Sequence, residues 1–254
     1  MVSAGVAGIA WSASTLTLSG LLAAWLVGVL ILWGSGWEGG AVLAAFFVSS
    51  NMVSRLGVRT DLSSLDPKSD RRDAWQVLAN GGPAAIAAVL PSAEPGLRLW
   101  LVTASLAAAA ADTWATAVGL RSRVPPRMWW LGAPVAPGTS GGVTLLGTVA
   151  AAAGAALVAG TAALASGRLA LLPVGTLIGF LGMVADSALG GLAQGRFHCP
   201  QCRQPSEWRV HRCGTTTQWV GGWPWLNNDG VNLLATGLAT AAAWIAWQLC
   251  DGLS

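Results

Sequence analysis

The chain has 254 residues, of which 14 are basic and 11 acidic; 54% are hydrophobic and 15 are Trp. About a quarter of an ordinary soluble domain is charged, against 10% here, and the mean hydropathy is +0.57. Those values argue against a soluble enzyme, a disordered chain and a nucleic-acid binder, and leave a polytopic membrane protein.

Charge-free stretches locate the elements, since a crossing helix takes about 20 apolar residues. An all-α transmembrane bundle is expected, with seven spans at about 16–33, 39–56, 74–91, 98–119, 143–165, 169–191 and 230–249. Met1 to Ser14 has neither the positive start of a signal peptide nor the Arg content of a transit peptide, so the first span is expected to be retained. The third carries Asn80 and the break Gly81-Gly82-Pro83. A re-entrant segment there would leave six spans. Residues 1–254 read as one membrane domain, with a loop insert at 192–228.

Basic residues orient the bundle. Twelve of the fourteen lie in three loops: Arg55, Arg59, Lys68, Arg71 and Arg72; then Arg121, Arg123 and Arg127; then Arg196, Arg203, Arg209 and Arg212. With seven spans these loops share one side with the N-terminus, and that side is expected to be cytoplasmic, in a prokaryotic plasma membrane. The net charge of +3 is therefore a topology signal.

Ionisable groups inside spans are costly and invite a functional reading. Asp112 lies in the fourth span, Asp186 in the sixth, and Asp229 opens the seventh, all approaching from the cytoplasmic side. Gly175, Gly179, Gly182, Asp186 and Gly190 form one stripe at helical spacing, so Asp186 should face protein or a cavity. Asp112 shares a face with Thr116 and Gly119; Asn228 and Asp229 reach the face of Asn232. Three carboxylates with Asn80, Asn228 and Asn232 offer the oxygen ligands that Mg2+ takes. The alternative is that neighbouring Asn, Ser and Thr satisfy each acid structurally.

Before the fifth span runs Pro137-Gly138-Thr139-Ser140-Gly141-Gly142. Its backbone N–H groups could cradle a phosphate, with Arg121, Arg123 or Arg127 to balance charge; a turn in which Thr139 or Ser140 caps a helix reads equally well. Arg71 and Arg72, adjoining the third span, could reach lipid or substrate phosphate. In the insert, Cys199, Cys202, His211 and Cys213 follow the order C-x2-C-x8-H-x-C, a structural Zn2+ set in which His198 could replace His211. Unmetallated thiols and redox chemistry are the alternatives. Cys250 reads as buried or lipid-facing. The Trp residues, among them Trp129 and Trp130, read as interfacial or core packing.

The ordered set of motifs resembles a family of integral membrane proteins, long of unknown function, that includes plant and cyanobacterial phytyl-phosphate kinase. The resemblance runs through Ser19-Gly20, Phe46 to Ser50, Arg72 with Gln76 to Gly82, and Ala111 to Thr116. It continues through Pro137 to Val143, Asp186-Ser187 with Gly190 and Gln194, the Cys/His loop, and Asn228-Asp229 with Val231-Asn232. One departure is Ala117, where the family often has an acid.

The resemblance implies a phosphotransferase that moves a phosphoryl group from a nucleoside triphosphate, CTP, to an isoprenoid monophosphate. Asp112, Asp186 and Asp229 would hold Mg2+. Gly138, Thr139, Ser140, Gly141, Gly142, Asn80, Gly81, Arg72, Arg121, Asn228 and Asn232 would bind phosphate and substrate. A prenol kinase and a transporter or lipid scramblase, the latter using a broken third span, are the rival expectations.

Overall fold

A computed structural model describes residues 15–56, 71–92, 94, 96–128 and 132–251. Residues 1–14, Arg59, Lys68, Trp129, Trp130 and the side chain of Cys250 lie outside that description. The described chain is a bundle of six helices: α1 (Leu18–Leu56), α2 (Ala74–Val89), α3 (Leu97–Gly119), α4 (Leu145–Ser166), α5 (Leu171–Leu192) and α6 (Asn228–Asp251). All but α2 are long and apolar enough to cross a membrane. Two small antiparallel sheets accompany them. One pairs β1 (Arg127–Met128) with β2 (Gly142–Val143); the other has the order β4-β3-β5, from Gln204–Ser206, Arg196–Cys199 and Gln218–Gly221.

The first two expected spans are the two arms of α1. Gly36 takes φ 64° and ψ −161°, a conformation that glycine reaches without a Cβ clash. Beyond it the chain doubles back. A Cβ on Gly40 would lie 2.5 Å from Leu32 Cδ2, whereas residues eight apart on a straight helix are separated by about 12 Å.

The bundle therefore has two distinct ends. At one, Arg98 Nε donates to the Leu90 carbonyl at 3.0 Å and Arg98 Nη1 to that of Gly34 at 3.4 Å, tying α1, α2 and α3 together. At the other, Arg72 pairs with residues 15–17: its N–H donates to Thr15 O and its carbonyl accepts from Thr17 N–H, both at 3.0 Å. Although α2 has only 16 residues, it runs from one end to the other.

The expected break in the third segment does not form: α2 is continuous through Gly81, Gly82 and Pro83. A Pro cannot donate to the carbonyl four residues back, which here belongs to Ala79. The hydroxyl of Thr236 on α6 lies 2.9 Å from Ala79 O, in a buried position, and shares its single proton with the Asn232 carbonyl at 2.8 Å. A donor from another helix thus makes the proline tolerable. Thr236→Val is expected to lower bundle stability by about 1 kcal/mol, measured by reversible unfolding in mixed micelles, with Thr236→Ser close to wild type.

The α5 glycine stripe packs as its spacing suggests. A Cβ at Gly175 would meet Ala159 at 3.0 Å, at Gly179 Ala107 at 2.7 Å, and at Gly182 Ala108 at 2.5 Å. Contacts that close bring the α5 backbone against α3 and α4. Asp186, one turn further along the stripe, consequently faces protein.

Candidate functional site

At the end of the bundle where α2, α4 and α6 begin, a cavity of about 1380 Å³ opens. Asp112 from α3, Asp186 from α5 and Asp229 from the first turn of α6 all line it. So do Asn80, Arg72, Asn228, Asn232 and every residue of Gly138–Gly142. Thr15, Arg55, Arg72, Arg123 and Glu207 share its wall, which brings the three basic loops and the start of α1 to one end.

Two expected residues fall elsewhere. Gly81 is buried against α1, where a Cβ would lie 3.1 Å from Val27 Cγ1; one residue along a helix from Asn80 is a turn of about 100°, enough to leave the cavity face. Arg121 is exposed and outside the lining, and Arg123 takes the cavity wall in its place. Ala117, where the resemblance led us to expect an acid, lines the cavity.

The carboxyl groups of Asp112 and Asp186 lie close enough to interact directly in the cavity wall. Asp186 Oδ2 is buried without a partner. Two carboxylates so close are held together by a shared proton or a cation between them. An orphaned carboxylate oxygen amid Asp and Asn side chains is a donor set suited to a hard divalent cation.

The glycine loop rests on the end of α5. Gly138 and Gly141 have φ of 81° and 82°, and a Cβ on Gly141 would fall 2.6 Å from Gly191 Cα and 3.0 Å from Ser187 O. Contrary to expectation, neither Thr139 nor Ser140 caps the following helix. Strand β2 intervenes, pairing Gly142 with Met128, and Thr144 Oγ1 caps α4 by accepting from Gly147 N–H at 3.0 Å. Thr144, Gly147 and Thr148 still line the cavity, so the α4 N-terminus opens on it. Asn227 Oδ1, accepting from Gly230 N–H at 2.9 Å, does the same service for α6. The α2 start is capped by Asp73, which accepts from Gln76 N–H at 3.0 Å. Three helix N-termini at one cavity favour an anion.

Several lining residues were not among the expected site residues. Gln194 is 2% exposed, and both polar atoms of its side chain lack a partner. A buried amide in that state has an unused donor and acceptor beside the glycine loop. Arg55, Asn51 and Asn227 also line the wall. Asn51 was visible as a polar residue inside an apolar stretch, and Gln194 as part of the resemblance, though without a site role; Glu207 carried no local signal.

The insert folds as β3–β5 and gathers Cys199, Cys202, His211 and Cys213, whose ligand atoms all lie within 4.8 Å of one another. The sulfurs of Cys199 and Cys213 are 3.7 Å apart, and His211 Nδ1 is 3.2 Å from Cys213 Sγ. His211 takes part and His198 does not. Hydrogen bonding with Thr215 and His211 brings the Cys213 thiol down to about 6. Cys202, hydrogen-bonded to Cys213, is pushed up to about 11. The group can hold a metal.

Residues 1–240 match the family described as integral membrane protein DUF92. The chain belongs to this family. A relative named Protein PGR, from Arabidopsis thaliana, is 30% identical over 97% of this chain and 94% of its own length. An uncharacterized membrane protein of Methanocaldococcus jannaschii is 31% identical, covering 68% of this chain and 72% of its own. One from Synechocystis is 28% identical, over 87% and 78%. No solved structure matches. Membership and the apolar helices together make the chain an integral membrane protein.

Proposed function

We propose that the protein is a membrane kinase that transfers a phosphoryl group from CTP to an isoprenoid monophosphate, of phytyl or geranylgeranyl type, to give the diphosphate. The observation that supports this most is the meeting of three acids from separate helices with a glycine loop and three helix N-termini in one cavity. Phosphoryl transfer asks chiefly for positioning and charge stabilisation, and this wall consists of groups for both.

Asp112, Asp186 and Asp229 would hold one or two Mg2+ ions, with Asn228 and Asn232 beside them. Magnesium, when bound, neutralises the charge of the phosphates. The N–H groups of Gly138–Gly142 and the N-terminus of α4 orient phosphate oxygens, and Arg55, Arg72 and Arg123 supply positive charge around them. An oxygen of the acceptor phosphate attacks the terminal phosphorus of the donor, and the bond to the departing nucleoside diphosphate breaks. The acceptor is ionised at neutral pH and requires no base. The tail runs among the helices, and the cavity opens to the cytoplasm of a prokaryotic cell.

The Cys/His knot is read as a structural Zn2+ site, because four protein ligands leave the ion no open position. The transporter reading drew on an interrupted third segment, and α2 is uninterrupted. A prenol kinase would require a base for the hydroxyl proton. The test is purified protein with CTP, Mg2+ and either geranylgeranyl phosphate or geranylgeraniol. Diphosphate from the monophosphate alone is the expected result. Phosphorylation of the alcohol supports the prenol kinase, and inactivity across chain lengths and nucleotides overturns the proposal.

A further inference from the structure

The metal knot and the cavity are joined by one side chain. Ser140 Oγ, in the middle of the glycine loop, donates to Glu207 Oε1 at 2.5 Å. Glu207 follows β4 directly, and both Glu207 and Trp208 line the cavity. Glu207 thus reaches across from the insert to hold a loop 67 residues earlier in the chain.

The segment that carries Glu207 is fixed at both ends by the knot. Cys199 and Cys202 precede it; His211 and Cys213 follow it. Between them, Trp208 N–H donates to Ser206 Oγ at 3.1 Å, and the Trp208 carbonyl accepts from Thr217 Oγ1 at 2.6 Å. Arg209 O accepts from Thr217 N–H at 2.9 Å. The four ligand side chains join the β3–β4 turn to the 211–214 turn, together with the hydrogen bond between Thr215 and Gln201. Three sulfurs and one imidazole nitrogen within 4.8 Å of one another form a donor set suited to a single cation.

We propose that the metal in this knot positions the glycine loop. By closing the segment 203–210 at both ends it holds the Glu207 carboxylate on Ser140, and Glu207 is a positioning residue for the cavity. The proposal rests on the reading of the knot as a metal site and is independent of which reaction the cavity performs. A charge-assisted bond from a hydroxyl to a carboxylate is stronger than one between neutral groups, enough to decide whether the glycine loop stays in one arrangement.

The experiment is amide hydrogen exchange of residues 138–142 in the full-length protein in nanodiscs, zinc-loaded or stripped by chelator, with metal content measured on the same samples. In wild type, exchange should speed up about tenfold on stripping, the loss expected for one such bond. Glu207→Ala should retain a full equivalent of zinc yet exchange about tenfold faster even when loaded, with no further change on stripping. Glu207→Gln keeps an acceptor for Ser140 and should recover most of the protection. Absence of zinc from protein supplied with it overturns the metal reading. Zinc bound normally, with wild-type exchange unaffected by stripping or by Glu207→Ala, overturns the clamp alone.

Discussion

Asp112→Asn and Asp186→Asn are each expected to lower kcat/KM for diphosphate formation by about a thousandfold, the equivalent of about 4 kcal/mol of lost charge stabilisation. Neither should destabilise the fold. The two carboxyl groups lie close together on neighbouring helices, and Asp186 Oδ2 is buried with no partner. An amide at either position can still donate to the remaining carboxylate, and it removes one of two like charges from a desolvated place. The thermal midpoint in detergent should therefore hold or rise while activity vanishes, the pattern of a site whose residues are retained at some expense in stability. If these acids were structural, the same changes would lower the midpoint. Measuring both quantities on each variant separates the two explanations, and Asp229→Asn, in the first turn of α6, serves as a third member of the series.

Much of this architecture was legible because lipid imposes simple rules on sequence. Charge-free runs marked the helices, since unpaired charges cannot lie among acyl chains. The α5 stripe announced its own contacts: small residues at helical spacing permit close backbones, and Gly175, Gly179 and Gly182 meet alanines of α3 and α4. With the stripe oriented, the inward direction of Asp186 followed. What stayed hidden depends on partners distant in the chain. Pro83 reads locally as a break, yet Thr236, 157 residues beyond Ala79, supplies the missing hydrogen bond and keeps α2 whole. Asn80 and Gly81 were grouped by the resemblance, although adjacency on a helix places side chains on different faces. Arg121 and Arg123 occupy an irregular loop with no period to say which turns inward. Glu207 follows the last residue of β4, and its place on the glycine loop arises from the packing of the insert against the bundle.

Gly141→Ala tests the glycine loop by geometry rather than charge. Its φ of 82° is unfavourable for any residue with a Cβ, and the added carbon would lie 2.6 Å from Gly191 Cα. That neighbour is backbone of the last turn of α5, which the stripe contacts hold in place, so the loop must give way. Left-handed backbone strain costs about 1–2 kcal/mol for an L-residue, and the collision adds to it. Because Ser140 is next in the chain, the displacement also pulls its hydroxyl from Glu207. The expected result is at least a tenfold rise in KM for the phosphate-bearing substrates, about 1.4 kcal/mol, with a smaller change in kcat, since the acids on α3, α5 and α6 stay where they are. Gly167→Ala is the control. Its φ is 71°, with nothing within 4 Å of an added Cβ, and it lies at the opposite end of the bundle. It incurs the same kind of strain without the collision, so its kinetics should match wild type even if its stability falls. Equal kinetic effects of the two substitutions would mean that general destabilisation, and not the position of the loop, governs turnover.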